Sequence, residues 1–126
     1  SEPGLEDWYQ NVYKKSSMYI DDISKMPYNG IKILNSKDKI PAETKPNSII
    51  DKLNKNGKIN SRTIYDNEGK MKFQINTTDH GNPKMHPYGK NGEHIHDIIW
   101  KDGKIIGRPA RELTDKERQQ NKDILE

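Results

Sequence analysis

The chain contains no cysteine and few apolar residues, and both shortages narrow what it can be. Without cysteine there is no disulfide framework, no thiolate nucleophile and no zinc site with sulfur ligands. Hydrophobic residues make up 29% of the 126 residues, and the mean hydropathy is -1.17, so we expect a small core. No apolar run approaches the roughly 20 residues that a membrane-spanning helix needs.

Long runs of charge of one sign are also missing. The chain has 22 Lys and Arg residues against 19 Asp and Glu, which gives a net charge of +3. Because the signs alternate along the chain, wholesale disorder is not the natural interpretation. The basic stretches Lys52–Lys58 and Lys101–Arg111 are candidates for a polyanion-binding patch, although an ordinary solvated surface is the favoured interpretation.

The length suits one domain, which we assign to residues 1–126. No signal peptide is recognisable, and the chain opens abruptly at Ser1-Glu2-Pro3-Gly4. We interpret this opening as a cut made inside a longer protein, whose localisation cannot be read from this segment.

The apolar spacing predicts an α+β fold, with a helix at each end and an antiparallel sheet of about four or five strands between them. Near the C-terminus, Thr114 and Glu117 form a capping-box pattern that predicts a helix start. Near the N-terminus, residues three and four apart predict an amphipathic helix that ends before Pro27 and packs on the core. Its apolar stripe is Leu5, Trp8, Tyr9, Val12 and Tyr13.

A first hairpin is predicted where Lys58–Asp66 and Lys70–Thr77 flank the turn Asn67-Glu68-Gly69. On its second strand, apolar and polar residues alternate, which predicts one buried face and one wet face. The apolar set is Met71, Phe73 and Ile75, and the polar set is Lys72, Gln74 and Asn76.

A second hairpin is predicted from His94–Lys101 through Asp102-Gly103 into Lys104–Arg108. Upstream, Ile31–Leu34 is expected to be a short strand. Asn47-Ser48 is expected to cap a short helix that runs through Leu53.

All four histidines lie in one polar segment rich in glycine and proline, between Thr77 and Trp100. Histidine both takes and gives a proton near neutrality. RNA cleavage by 2′-hydroxyl attack needs a base, an acid and a cation that stabilises the charge on phosphorus. The candidate proton-transfer residues are His80, His86, His94 and His96, and the candidate cations are Lys84 and Arg62.

Strand alternation places His94 and His96 on one face and Asp97 on the other. Such a pair suits an acid/base site, and it also suits a metal site whose shell His80, His86 or Asp79 would complete. The spacing matches no specific zinc signature, so metal ranks second. Hydrogen bonds that fix the loop, without catalysis, are a third interpretation, and Trp100 is expected to pack in the core.

Three motifs resemble the C-terminal toxin domains of bacterial polymorphic and contact-dependent growth inhibition systems. They span roughly residues 47–100, and the central run is the most specific of them. The motifs are Arg62-Thr63-Ile64-Tyr65-Asp66-x-x-Gly69, then Thr78-Asp79-His80-Gly81-Asn82-Pro83-Lys84-x-His86-Pro87, then His94-x-His96-Asp97.

The resemblance implies a toxin tip on a larger secreted or surface protein that acts in the cytoplasm of a target bacterium. It also implies a barnase/EndoU/colicin/RelE-like scaffold, an RNA substrate such as tRNA and a cognate immunity protein as partner. Together with the histidines, it predicts an endoribonuclease that works without a cofactor. The predicted substrate-binding residues are Arg62, Lys84, Thr78 and Tyr65. The alternatives are a nuclease that depends on a divalent metal such as zinc, and a non-enzymatic binding module.

Overall fold

The fold was obtained as a computed structural model that describes residues 31–79, 81 and 88–125. Within these ranges no helix has the length and apolar character that crossing a membrane requires. The predicted N-terminal helix lies outside them. The elements in chain order are β1 (Ile31–Leu34), β2 (Ile49–Leu53), β3 (Ile59–Tyr65), β4 (Met71–Asn76), β5 (His94–Asp97), β6 (Ile99–Lys101), β7 (Lys104–Gly107), β8 (Ala110–Arg111) and α1 (Asp115–Gln120).

The central element is a six-stranded sheet in the order β1-β2-β3-β4-β5-β8. Strands β1 and β2 are parallel, and the remaining neighbours are antiparallel. The α+β class and the strand Ile31–Leu34 are confirmed. The sheet is larger than predicted, because β2 and the short β8 add strands, and it is mixed, because β1 and β2 are parallel.

The helix predicted between Asn47 and Leu53 is wrong, because Ile49–Leu53 forms β2. This strand lies between β1 and β3 and buries Ile49, Ile50 and Asp51. Two adjacent β-branched residues favour a strand, and burial on both faces hides the polar alternation that would reveal it. Asn47 adopts a left-handed φ of 58°, which differs from the extended backbone of a helix N-cap.

The first hairpin is confirmed as β3 and β4. The prediction of one buried and one wet face is wrong, because Asn76 is buried and Met71 lies on the opposite face from Phe73. The register shifts between Ile64 and Tyr65. Such a bulge adds a residue to one strand and reverses which side chains face which side.

The second hairpin is confirmed for β6 and β7 only. Asp102 and Gly103 have φ values of 52° and 75°, as the tight hairpin turn of an Asp-Gly pair requires. The predicted strand His94–Lys101 is interrupted at Ile98, whose N–H donates to the Lys72 carbonyl. Strand β5 therefore belongs to the large sheet and β6 to a separate two-stranded one.

The large sheet has two different faces, which we name by their polar residues. On the arginine face, one cross-strand row runs Asp51, Arg62, Ile75, Ile95 and Arg111, because paired residues point to the same side. Its apolar cluster is Ile49, Ile64, Ile75, Ile95 and Leu113.

On the histidine face, one row runs Ile50, Thr63, Gln74, His96 and Ala110. The neighbouring row ends on His94. A second apolar cluster packs on this face, at the end of the sheet where β3 finishes, and contains Leu34, Ile50, Tyr65 and Met71. Trp100 packs against it and donates from its indole nitrogen to the Met71 carbonyl at 2.8 Å.

Helix α1 starts as the sequence predicts. The Thr114 hydroxyl accepts from the Glu117 N–H at 3.1 Å, and the Glu117 carboxylate accepts from the Thr114 N–H at 2.9 Å. A helix this short is marginal by itself. Its attachment to the sheet comes from Arg111, which donates to Glu117 at 2.8 and 2.9 Å.

Candidate functional site

The paired histidines of β5 lie side by side, as strand alternation predicts. The rings of His94 and His96 are 4.9 Å apart between centroids and meet edge to face. Asp97 turns to the opposite face, where its carboxylate accepts from Arg111 at 2.7 and 3.1 Å. The predicted separation of Asp97 from the two imidazoles is therefore confirmed.

His94 is fully buried, and both of its ring nitrogens are hydrogen-bonded. Nδ1 lies 2.8 Å from the Gly92 carbonyl and must donate, because a carbonyl only accepts. In the neutral ring, Nε2 then accepts from the Asn76 amide at 3.3 Å. Burial and two partners fix the position of this ring and suit a positioning residue.

His96 is partly exposed, which distinguishes it from His94. Its Nδ1 donates to the Arg108 carbonyl at 2.8 Å. This bond fixes the tautomer, so Nε2 carries the lone pair in the neutral ring and is the nitrogen that can take up a proton. Arg108, whose backbone holds the ring, is exposed and brings a cation to this part of the surface.

Neutral polar side chains surround the histidines on their face of the sheet. Gln74 donates to the Thr63 hydroxyl at 3.1 Å, and Asn76 pairs across the strands with His94. Ser61 and Thr63 are buried in the same rows. This setting holds the imidazoles by hydrogen bonds to neutral groups.

The loop that carries the other two histidines approaches β5 through Asp79. Gly92 has a φ of 81°, and a Cβ atom there would overlap the backbone nitrogen and Cβ of Asp79. Glycine is required at this position for both reasons. The Gly92 carbonyl also accepts from the ring Nδ1–H of His94. The close approach of Asp79 to Gly92 therefore joins the start of the loop to the site. His80, Lys84 and His86 lie outside the described residues.

Arg62 is placed away from the histidines, on the arginine face, and is 1% exposed. It donates to Asp51 at 2.8 and 2.9 Å and to Asp123 at 3.0 and 2.8 Å. Burial opposes its charge, but the hydrogen bonds and charges of the two carboxylates outweigh burial and raise the pKa of Arg62. A guanidinium enclosed in this way cannot reach a phosphate in solvent, so the predicted phosphate-binding role does not fit its position.

Tyr65 is also placed away from solvent. It is fully buried in the second apolar cluster, and its hydroxyl donates to the Pro41 carbonyl at 2.6 Å. Burial raises the pKa of the phenol. Its position fits a core residue and not the predicted contact with substrate. Thr78 is exposed after β4 and lines a surface cleft.

Two ion-pair groups join α1 to β5 and to the residue that precedes it. Arg111 connects Asp97 to Glu117, and the hydrogen bonds that it donates to Glu117 and Asp97 raise its pKa. Arg118 connects Glu93, the residue before His94, to Glu112 at 2.8 and 2.6 Å. Burial opposes ionisation of Glu93, but Arg118 and nearby backbone N–H groups outweigh it and lower its pKa.

Sequence reasoning missed Asn76 and Arg108 as members of the site. A signal existed for Asn76, because alternation along β4 puts it on the polar side of the strand. Arg108 belongs to the basic stretch Lys101–Arg111, whose composition is typical of an ordinary solvated surface. Only the Arg108 carbonyl contact with His96 separates it from the neighbouring lysines.

In the described part of the chain, no group of three or more His, Asp or Glu residues is arranged to hold a metal ion. His80 and His86, two of the three residues predicted to complete a metal shell, lie outside that part. No protein-family model matches the chain, and no curated protein or solved structure is significantly similar to it.

Proposed function

We propose that this domain is an endoribonuclease in which His96 transfers a proton to or from the reacting RNA. The observation that carries the proposal is the setting of His96. Its ring is partly exposed, oriented by the Arg108 carbonyl and packed edge to face on the buried His94. General acid–base catalysis needs an imidazole in a defined tautomer within reach of substrate.

The chemistry is a transfer at phosphorus. A base takes the 2′-hydroxyl proton, the 2′-oxygen bonds to phosphorus, and the bond to the 5′-oxygen breaks as an acid protonates that oxygen. The products are a 2′,3′-cyclic phosphate and a 5′-hydroxyl end. His96 supplies one proton transfer, and His80 or His86 supplies the other in this proposal.

The remaining roles follow from position. His94, buried with both nitrogens bonded, is a positioning residue that keeps the His96 ring in place. Arg108 takes the phosphate-binding role first predicted for Arg62, because it is exposed and its backbone contacts His96. A guanidinium suits the charge that develops on phosphorus. Lys84 stays a second predicted cation.

The biological setting is proposed from the sequence motifs. A toxin domain delivered into a target bacterium, with a cognate immunity protein and a barnase/EndoU/colicin/RelE-like scaffold, agrees with an α+β fold. Induction of the domain inside bacteria should arrest growth and degrade RNA. Growth arrest that survives the loss of His96, with RNA intact, would instead indicate a non-enzymatic binding module.

A metal-dependent nuclease is the second candidate, and one observation favours it. His96, the partly exposed histidine, donates Nδ1–H to the Arg108 carbonyl, as metal-bound histidines commonly do to a backbone carbonyl. Incubation of the purified domain with total tRNA in EDTA separates the two candidates. Cleavage in EDTA with cyclic phosphate ends supports the metal-free mechanism. RNA that stays intact until zinc, magnesium or manganese is added contradicts it.

A further inference from the structure

A cleft of about 470 Å³ opens where β3 begins and β4 ends. This volume lies within the range of small-molecule sites and suits one nucleotide-sized group. One wall is formed by Ile124 and Leu125, near the end of the chain, and another by Thr77. Thr77 directly follows Asn76, the residue that bonds His94. Asn76 and His94 lie on the histidine face, whereas Asp123, Ile124 and Leu125 pack on the arginine face. The cleft therefore opens on the arginine side, at the end of the sheet that Asn76 and His94 also reach.

The walls combine apolar surface with neutral polar groups. Ile59, Ile124 and Leu125 contribute the apolar part, and Asn54 and Asn91 contribute amides. The Asn54 oxygen accepts the N–H groups of two residues in its own turn at 2.9 and 3.1 Å, so the amide nitrogen remains its group for a ligand. Apolar walls with amide donors match a planar group that has apolar faces and a polar edge.

The cleft contains two carboxylates that are paired with arginines and one exposed lysine. Its two carboxylates, Glu93 and Asp123, are paired with Arg118 and Arg62 at 2.8 Å each. Lys58 is exposed at the cleft. This distribution suits a neutral ring that is joined to an anionic phosphate.

We infer that the cleft holds one nucleobase of an RNA strand that passes round this end of the sheet, and that it so sets a base preference for cleavage. This inference rests on the proposed ribonuclease function. Bases splayed out of single-stranded RNA are commonly recognised in pockets by amides along their polar edges, which is the chemistry that this cleft offers.

The test is a titration of the domain with the four nucleoside 5′-monophosphates and with inorganic phosphate, followed by the backbone amide signals of Thr77, Asn91 and Leu125. Nucleotides should shift these signals with a base-dependent Kd, and phosphate alone should not. Asn91→Ala should raise the Kd for the preferred nucleotide about 3- to 10-fold, which corresponds to the loss of one neutral hydrogen bond. Asn91→Trp should fill the cleft and abolish binding.

Matched controls are Asn67→Ala and Asn67→Trp, because Asn67 is exposed in the turn at the opposite end of the β3–β4 hairpin. They should leave the Kd unchanged, and thermal unfolding should show that all four variants are folded. The inference is overturned if no nucleotide shifts these signals, if the Asn67 and Asn91 variants behave alike, or if only an acidic peptide binds.

Cleavage of oligonucleotides that differ at one base separates this inference from the ribonuclease proposal. RNA cleavage with the same base preference in wild type and Asn91→Trp overturns the inference and leaves the proposed function standing. Base-dependent nucleotide binding without any RNA cleavage supports the cleft as a nucleotide site and removes the ribonuclease.

Discussion

The arginine face and the histidine face of the sheet both bury polar side chains, but with different chemistry. On the arginine face, Arg62 and Arg111 each bond two carboxylates. On the histidine face, His94 and His96 are bonded to an amide and to backbone carbonyls. The ion pairs on the arginine face connect the C-terminal segment to the sheet, whereas the hydrogen bonds on the histidine face hold the two imidazoles through neutral partners. In the proposed function, the histidine face carries the proton transfer, and the ion pairs of the arginine face hold the C-terminal segment on the sheet.

The largest effect expected from this division is on the histidine face. His96→Ala should lower RNA cleavage by about 10²–10⁴-fold, the usual size of an acid–base contribution. The unfolding midpoint should change little, because the ring is partly exposed. Cleavage rates and thermal unfolding are measured on the same samples. A folded His96→Ala protein that cleaves RNA at the wild-type rate would remove His96 from the mechanism.

His94→Ala gives a contrast within the same face. Its removal leaves the Gly92 carbonyl and the Asn76 amide without this partner in a buried place, so the free energy of unfolding should fall by about 1–3 kcal/mol. Equal stability losses for the two histidine variants would contradict the distinction between a positioning and a proton-transfer residue.

On the arginine face, Arg62→Met should cost about 3–5 kcal/mol of unfolding free energy, because it leaves buried Asp51 without its counter-ion. Burial already raises the pKa of Asp51 against the pull of Arg62. The double variant Arg62→Met with Asp51→Leu should therefore recover much of the loss. Chemical denaturation measures the free energy of unfolding of both variants. A double variant no more stable than Arg62→Met would contradict the role of Arg62 as the counter-ion of Asp51.

Arg108→Ala should lower kcat/KM for RNA by about tenfold at low salt, since an exposed cation attracts phosphates electrostatically. The difference from wild type should shrink as salt is raised, because ions screen the attraction. Lys55→Ala, an exposed cation in the turn after β2, is the control and should change cleavage much less. Equal effects of the two substitutions would mean that only general positive charge matters.

The smallest expected effect concerns pH and α1. Burial opposes ionisation of Glu117, but Arg111 and Thr114 outweigh it and lower the pKa of Glu117 below its ordinary 4.5. The resulting stabilisation is complete above that value and is lost as the pH falls through the lower, folded-state pKa. Glu117→Gln should lower the free energy of unfolding by about 1–2 kcal/mol at neutral pH. The loss is this small because Arg111 keeps its ion pair with Asp97 and is partly solvated.

The same substitution should flatten the loss of stability in acid. Unfolding free energies between about pH 5 and pH 3 should fall less steeply for Glu117→Gln than for wild type. Asp51, whose pKa is also shifted, is present in both proteins, so it contributes equally to the pH dependence of both curves. Parallel curves would show that the Arg111–Glu117 pair contributes nothing to acid sensitivity.

Local patterns predicted those parts of the fold that local chemistry specifies. The Asp102-Gly103 turn and the Thr114–Glu117 capping box depend on residues next to each other in sequence, and both are confirmed. Strand β2 is predicted as a helix because its first three residues are all buried, which hides the polar alternation that marks a strand. The bulge at Tyr65 could not be predicted either, since pairing register depends on both strands at once.

The sequence by itself determined that the histidines cluster in one segment and that His94 and His96 share a face of their strand, because strand alternation is a property of the backbone. Tertiary structure alone decided which polar residues are used for stability. Arg62 opens one of the sequence motifs and Arg108 lies in a basic stretch, yet Arg62 is enclosed by Asp51 and Asp123, and Arg108 is exposed with its carbonyl bonded to His96. Burial and ion pairing depend on contacts between residues far apart in the chain, and no local pattern encodes them.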